Sequence, residues 1–144
     1  MAVVSIHWGA NWGYAVPESQ TRFARTLIEL AGVSVVYGHS SHHPKGLELH
    51  RGRLILYGCG DFINDYEGIA GYAELHPELS LMYFPEVDPS SGMVTALTVR
   101  PLRIRRLRLE RAPVEAAAWL AARLDPLSRG GHVRRSDETL RFGA

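Results

Sequence analysis

The sequence predicts an α/β (α+β) domain in which a βαβ unit is followed by antiparallel strands. The first observation is a pair of apolar, β-branched runs, Val3–Ile6 and Val33–Tyr37, of the kind that form short buried strands. The second is a helical pattern between these runs. The third is a series of strand-like segments from Leu79 onward, separated by turn residues, which is typical of an antiparallel sheet.

The helix between the two runs is predicted to begin at Pro17 and to end at Gly32. Proline suits a first helical turn, Glu18 favours the positive end of the helix dipole, and glycine terminates helices. Apolar residues spaced three and four apart predict one buried face. They are Phe23, Ala24, Leu27, Ile28, Leu30 and Ala31. Strand, helix and strand over roughly 30 residues predict parallel strands joined by a right-handed crossover.

Histidines follow both predicted strands. His7 ends the first run, and His39 and His42 lie in the loop after the second. If the strands are neighbours about 4.8 Å apart, these three side chains lie at one sheet edge and are candidate ligands of a divalent transition metal such as Mn, Fe or Zn. The alternative is a polar loop whose histidines face water. His43, beside Pro44, is interpreted as a spectator of the loop.

A second polar stretch, Tyr57–Gly68, leaves the strand predicted at 53–57. Two glycines allow a sharp turn there, and Asp61 is the best acid candidate for the histidine edge. Asn64, Asp65 and Glu67 are interpreted as loop formers that bond to their own backbone. Cys59 is expected to be a small core residue. Trp8 and Trp12 either wall a pocket above His7 or anchor their loop against the sheet.

The remaining segments predict ordinary elements. Residues 47–50 and 53–57 form a hairpin, strands 79–85 and 93–99 flank the turn-rich residues 88–92, and residues 69–78 form a polar connector with a turn at His76–Pro77. His50 is expected on the surface of its strand. Residues 102–109 alternate leucine or isoleucine with arginine, which predicts a half-buried strand with one bulge. A helix is expected from Pro113 through Leu124, then a turn at Gly130 and one or two short strands.

Length and composition favour one globular domain over residues 1–144, with 46% hydrophobic residues. No apolar run is long enough to span a bilayer, and we expect no signal peptide because a strand begins at once. Residues 100–144 hold 11 of the 16 Lys and Arg and 5 of the 15 Asp and Glu, a net charge of +6, against −5 for residues 1–99. Because arginine alternates with leucine or isoleucine in residues 102–109, we interpret these arginines as the solvated face of a strand and not as a nucleic-acid site.

The order His-Trp-Gly, helix, Gly-His-x-x-His and Leu-Tyr-Gly-Cys-Gly-Asp-Phe resembles the CapA family of poly-γ-glutamate capsule biosynthesis proteins, from about Val3 to about Arg111. The resemblance implies half of a four-layer metallophosphatase sandwich, the fold of calcineurin-like phosphoesterases. It implies that His7, His39 and His42 are metal ligands and that His39 and Asp61 serve catalysis, with Asp61 where many relatives carry asparagine. Relatives are often associated with the cell envelope.

The Asp-bearing N-terminal blocks of that family have no counterpart before His7. We therefore expect the C-terminal part of a larger domain, a dinuclear site only if the N-terminal half is supplied, and a homo-oligomer or that half covering the exposed inner face. The implied function is a metal-dependent phosphoester hydrolase acting on a phosphoester or polyglutamate-pathway substrate. The alternative is a catalytically inactive structural or interaction domain that retains the histidine loop.

Overall fold

The computed structural model describes residues 1–64 and 71–143, which form a mixed α/β fold with two sheets and two α-helices, as the sequence predicts. Two short 3₁₀ helices cover Ala73–Leu75 and Asp125–Leu127. Asp65 and Glu67, for which a loop role was predicted, lie outside the described residues, as do positions 69 and 70 of the predicted connector. The elements are β1 (Val3–His7), α1 (Glu18–Ala31), β2 (Val35–His39), β3 (Leu47–His50), β4 (Arg53–Leu56), β5 (Leu79–Val87), β6 (Val94–Arg105), β7 (Arg108–Arg111), α2 (Val114–Leu124), β8 (His132–Ser136) and β9 (Thr139–Gly143).

The first sheet contains the predicted βαβ unit. Its strand order is β1-β2-β4-β3, with β1, β2 and β4 parallel and β3 antiparallel to β4. Strands β1 and β2 pair from Val3 opposite Val35 to His7 opposite His39. The two histidines are therefore side by side at the carboxyl edge of the sheet, where open α/β sheets position functional groups.

Helix α1 has the predicted ends but a narrower buried face. Pro17 precedes its first residue, and Gly32 adopts a left-handed conformation at its end. Ala24 and Ile28, one turn apart, pack on Val36 and Ile55 of the sheet. The prediction that all six apolar residues form one buried face was wrong for three of them, because Phe23 is 48% exposed, Leu30 is 84% exposed and Ala31 is exposed as well. A small residue at 24 brings the helix close to the sheet along this single stripe, which leaves its flanks in solvent.

The second sheet is antiparallel, with strand order β5-β6-β9-β8 and β7 paired to the end of β6. The predicted bulge within residues 102–109 was wrong. Arg105 pairs with Arg108, and Arg106 and Leu107 both have positive φ, 51° and 56°, so the chain makes a tight two-residue hairpin turn there. The register irregularity of β6 lies instead opposite Glu86 and Val87.

The two sheets enclose the main core. Leu54 and Leu56 of the first sheet meet Leu97 and Leu140 of the second, and α2 adds Leu120 and Leu124. Cys59 joins this cluster at 3% exposure, which confirms its prediction as a core residue. Helix α1 covers the opposite face of the first sheet. The order of layers is therefore helix, sheet, sheet, with α2 packed on the second sheet.

Strands β1 and β5 each lie at one edge of their sheet, with β3 and β8 at the opposite edges. An apolar cleft of about 400 Å³ lies between the sheets, and its lining includes Val3 of β1 and Pro85 of β5. Val3 is 57% exposed and Phe62, also in the lining, is 42% exposed. The homo-oligomer expected from such a surface stays a prediction.

Candidate functional site

The structure brings His7 and His39 together at the ends of β1 and β2. Their Nδ1 atoms are 3.4 Å apart and their rings meet at an interplanar angle of 66°. His7 is exposed and His39 is partly buried, so both rings are accessible at the sheet edge. The backbone N–H of Trp8 donates to the carbonyl of His39, which extends the strand pairing past the two rings. The predicted convergence of positions 7 and 39 is confirmed.

His42 is held by Asp61 instead. Its Nδ1 lies 3.0 Å from Asp61 Oδ2, with the side chains 20% and 23% exposed. Asn64 Nδ2 donates to the same carboxylate oxygen at 3.1 Å, and the hydroxyl of Ser80 donates to the carbonyl of Asp61. A carboxylate bonded to one ring nitrogen fixes the tautomer and orientation of a histidine. Asp61 therefore contacts His42 directly, its predicted part in catalysis stays a prediction, and Asn64 forms a side-chain hydrogen bond as well as having a place in the loop.

The fit to a metal ion is partial. Two nitrogens bound about 2.0–2.1 Å from one tetrahedral ion lie about 3.3–3.4 Å apart, which matches the 3.4 Å between His7 and His39. An N–H···acceptor hydrogen bond is shorter, about 2.7–3.2 Å. Across residues 1–64 and 71–143, however, no group of three or more His, Cys, Asp or Glu side chains is arranged to hold an ion. Whether His7, His39 and His42 bind metal stays a prediction.

The two tryptophans after β1 have different roles. Trp8 is an anchor, since its Nε1 donates to the carbonyl of Tyr57 at 3.1 Å and its ring stacks on the Tyr57 ring. Trp12 lies against Tyr72 with ring centroids 3.9 Å apart, and 5.1 Å from the ring of His42. The anchoring interpretation therefore holds for Trp8, whereas Trp12 forms an aromatic wall beside the His42–Asp61 pair.

The histidine loop also contains two buried polar residues, His43, which was interpreted as a spectator, and Lys45, to which no role was assigned from the sequence. His43 has 0% exposure, bonds through Nδ1 with the carbonyl of Pro44, and has a lowered pKa chiefly because burial disfavours its charged form. Lys45 is 3% exposed, its ammonium donates to the carbonyl of Ala10 at 3.0 Å, and burial lowers its pKa too. These residues tie the loop to the segment after β1, so His43 is a structural residue of the loop.

A second buried polar network lies under α1. The carboxylate of Glu48, 2% exposed, accepts hydrogen bonds from Arg25 Nε and from the Tyr57 hydroxyl, each at 2.7 Å. Burial and the Glu48 bond raise the pKa of Tyr57 well above its usual value. His50, expected on the strand surface, is partly buried and bonds to Glu29 at 2.7 Å. Strand alternation did not reveal this network, because its members come from three separate elements.

Comparison with known proteins relates the chain to bacterial capsule synthesis. Residues 1–66 match the family described as "Bacterial capsule synthesis protein PGA_cap". A protein of Mycobacterium tuberculosis called "Probable polyglutamine synthesis accessory protein" is 47% identical over 134 residues, which cover 93% of this chain and 35% of that protein. The "PGA biosynthesis protein CapA" of Bacillus subtilis is 31% identical over 65 residues, 45% of this chain and 17% of that protein.

These matches support a CapA-family identification of the chain. This confirms the resemblance drawn from the sequence motifs, including its assignment to the C-terminal half. The chain spans only 35% of the length of the Mycobacterium tuberculosis relatives. Both histidine pairs, His7–His39 and His42–Asp61, lie within the residues that match the family. No helix of this chain, within residues 1–64 and 71–143, is long and apolar enough to cross a membrane.

Proposed function

We propose that this chain supplies the histidine side of a metal-dependent phosphoester hydrolase of the metallophosphatase type, which acts in the synthesis of polyglutamate. The matched family, described as a bacterial capsule synthesis protein, and the Bacillus subtilis relative, named a PGA biosynthesis protein, support the pathway, whereas the name of the Mycobacterium tuberculosis relatives refers to polyglutamine synthesis. The observation that carries the proposed chemistry is the 3.4 Å separation of the His7 and His39 Nδ1 atoms, which suits two ligands of one ion.

Each residue has a distinct part in this proposal. His7 and His39 would hold the ion, and His39, the more enclosed of the two, would also contact the phosphate. By accepting the Nδ1 proton of His42, Asp61 would leave the Nε2 lone pair of His42 as a further nitrogen donor. His42 would have to move toward the His7–His39 pair to reach the ion, because the three rings do not already form a ligand group. A bound Mn, Fe or Zn ion would supply Lewis acidity and an activated water. Trp12, beside His42, would limit the access of bulk water to this edge.

The donor set of this chain suits one ion. A dinuclear centre would need bridging carboxylates, and residues of the longer family members outside the stretch matched here are their expected source. The alternative proposal is an inactive structural or interaction domain. The absence of a ready-made ligand group of three among the described residues favours it.

Calorimetric titration with Zn²⁺ and Mn²⁺ tests the metal site. We expect binding of one ion per chain, lost in His7→Gln and in His39→Gln and retained in His132→Gln, whose exposed ring bonds to Asp125 in a different part of the fold. Asp61→Ala should weaken metal binding by about 10–100-fold, the usual effect of removing such an orienting partner. Asp61→Asn should retain most of the affinity because the amide oxygen can still accept from His42.

Hydrolysis of a generic phosphodiester separates the two proposals. Turnover that requires metal and falls in His39→Gln supports the hydrolase. Stoichiometric metal without turnover supports the inactive domain. A wild-type chain that binds neither ion would refute the metal site in this chain.

A further inference from the structure

The second sheet presents a basic groove on the face turned away from the core. Along β8 and β9, Val133, Leu140 and Phe142 are buried, so the residues that alternate with them point outward. Arg134 and Arg141 are directly opposite each other in this outward row. They line a groove of about 340 Å³ together with His132, Ser136 and Thr95.

The two arginines are available to a ligand. Both are exposed, and neither forms an ion pair with any residue in the described part of the chain. Like charges opposite each other destabilise a strand pair, and an anion between them would reverse that effect. The planar guanidinium matches the carboxylate group through two parallel hydrogen bonds. Ser136 and Thr95 add hydroxyl groups to the lining.

The residues around the groove favour a ligand that carries a series of carboxylates. Among the nearby carboxylates, Asp125 accepts from the backbone N–H of Val133 and bonds to His132, and the positive charge of Arg134 contributes to lowering its pKa. Asp137 and Glu138 follow Ser136 in the turn between β8 and β9, and Glu138 is paired with Arg111. Glu86, in register with Ala96, lies at the far edge of the face, two strands from β9. The lining contains no exposed Phe, Tyr or Trp on which a nucleic-acid base could stack, since Phe142 is 4% exposed.

We propose that this arginine groove, formed by Arg134 and Arg141, binds a poly-γ-glutamate chain through its free carboxylates, apart from the histidine edge. In a γ-linked chain the side-chain carboxyls form the linkages, so the free groups are the α-carboxylates. The inference rests on the proposed role in polyglutamate synthesis for the identity of the polymer. The polymer would lie across β8 and β9 with successive carboxylates on the two guanidinium groups, so the groove holds the polymer while chemistry occurs elsewhere.

Fluorescence anisotropy with labelled poly-γ-glutamate and the full chain tests this proposal. Arg134→Gln with Arg141→Gln should weaken binding by about 100-fold, at about tenfold for each charge-assisted contact. Arg134→Lys with Arg141→Lys should lose less affinity than the double Gln variant, because lysine keeps the positive charge but cannot form the paired hydrogen bonds. Arg105→Gln with Arg108→Gln is the matched control. It removes another exposed, directly opposed arginine pair of the same sheet and should change affinity less than about threefold.

Equal losses in the two double Gln variants would overturn the proposal, since binding would then follow net charge alone. Tighter binding of a single-stranded oligonucleotide of similar length, lost in the same groove variant, would also overturn it in favour of a nucleic-acid site. Polymer binding should persist in His7→Gln and with chelator present. If the chain binds the polymer but no metal ion, only the proposed hydrolase is refuted. If it binds the metal ion but not the polymer, only the groove proposal is refuted.

Discussion

Replacing Gly38 by alanine should destabilise the fold by disturbing the strand end that positions His39. A Cβ at position 38 would collide with Trp8 Nε1 and lie 2.6 Å from the carbonyl oxygen of Leu56. The new methyl group would lie between the Leu56 backbone and a hydrogen-bonded indole, and neither of these can shift easily to remove the clash. Overpacking of this kind costs about 1–3 kcal/mol, and loss of the bond from Trp8 to the Tyr57 carbonyl costs about 0.5–1.5 kcal/mol more.

Gly38→Ala should therefore lower the free energy of unfolding by about 1.5–4.5 kcal/mol, as measured by urea unfolding. With a denaturant slope of about 1–3 kcal/mol per M, the midpoint should fall by about 0.5 M or more. Gly143→Ala is the control, because a Cβ there meets nothing within 4 Å, and its stability should stay within about 0.5 kcal/mol of wild type. In a Trp8→Phe background the cost of Gly38→Ala should shrink. A wild-type midpoint for Gly38→Ala would refute the packing described for this strand end.

Three further predictions concern the core and the free edge. Tyr57→Phe should cost about 1.5–3 kcal/mol in urea unfolding, because the buried Glu48 carboxylate loses a donor, and an unchanged stability would contradict that network. Burial raises the pKa of Cys59 from 9.0 to about 12. The stability that this buried thiol contributes is therefore complete below about pH 9 and declines by about 1.4 kcal/mol for each pH unit above it. The wild-type protein should lose more stability at alkaline pH than Cys59→Ala. Curves of unfolding free energy against pH that run parallel for the two proteins would refute this prediction. Light scattering should find an oligomer that Val3→Lys dissociates, since Val3 lines the apolar cleft, whereas a wild-type monomer would contradict the interface.

Much of the first half of the fold was predictable because its signals are local. The β-branched runs, together with Pro17 and Gly32 at the helix ends, determine β1, α1 and β2 through backbone preferences and chain connectivity. Parallel pairing then follows from the crossover, and the meeting of His7 and His39 follows from the pairing. The hairpin turn at Arg106–Leu107 was not predictable in this way, since neither residue favours positive φ and tertiary pairing of β6 with β7 overrides that preference.

The amino-acid sequence by itself determined the βαβ unit, the two helices, the family and the presence of histidines at one sheet edge. Only the tertiary structure decided that His7 contacts His39 whereas His42 contacts Asp61, that His43 is fully buried, and that Arg134 and Arg141 share a groove. The physical reason is that strand and helix formation depend on residues a few positions apart. Side-chain partners such as His42 and Asp61, or Arg25 and Glu48, depend instead on which separate elements pack against each other.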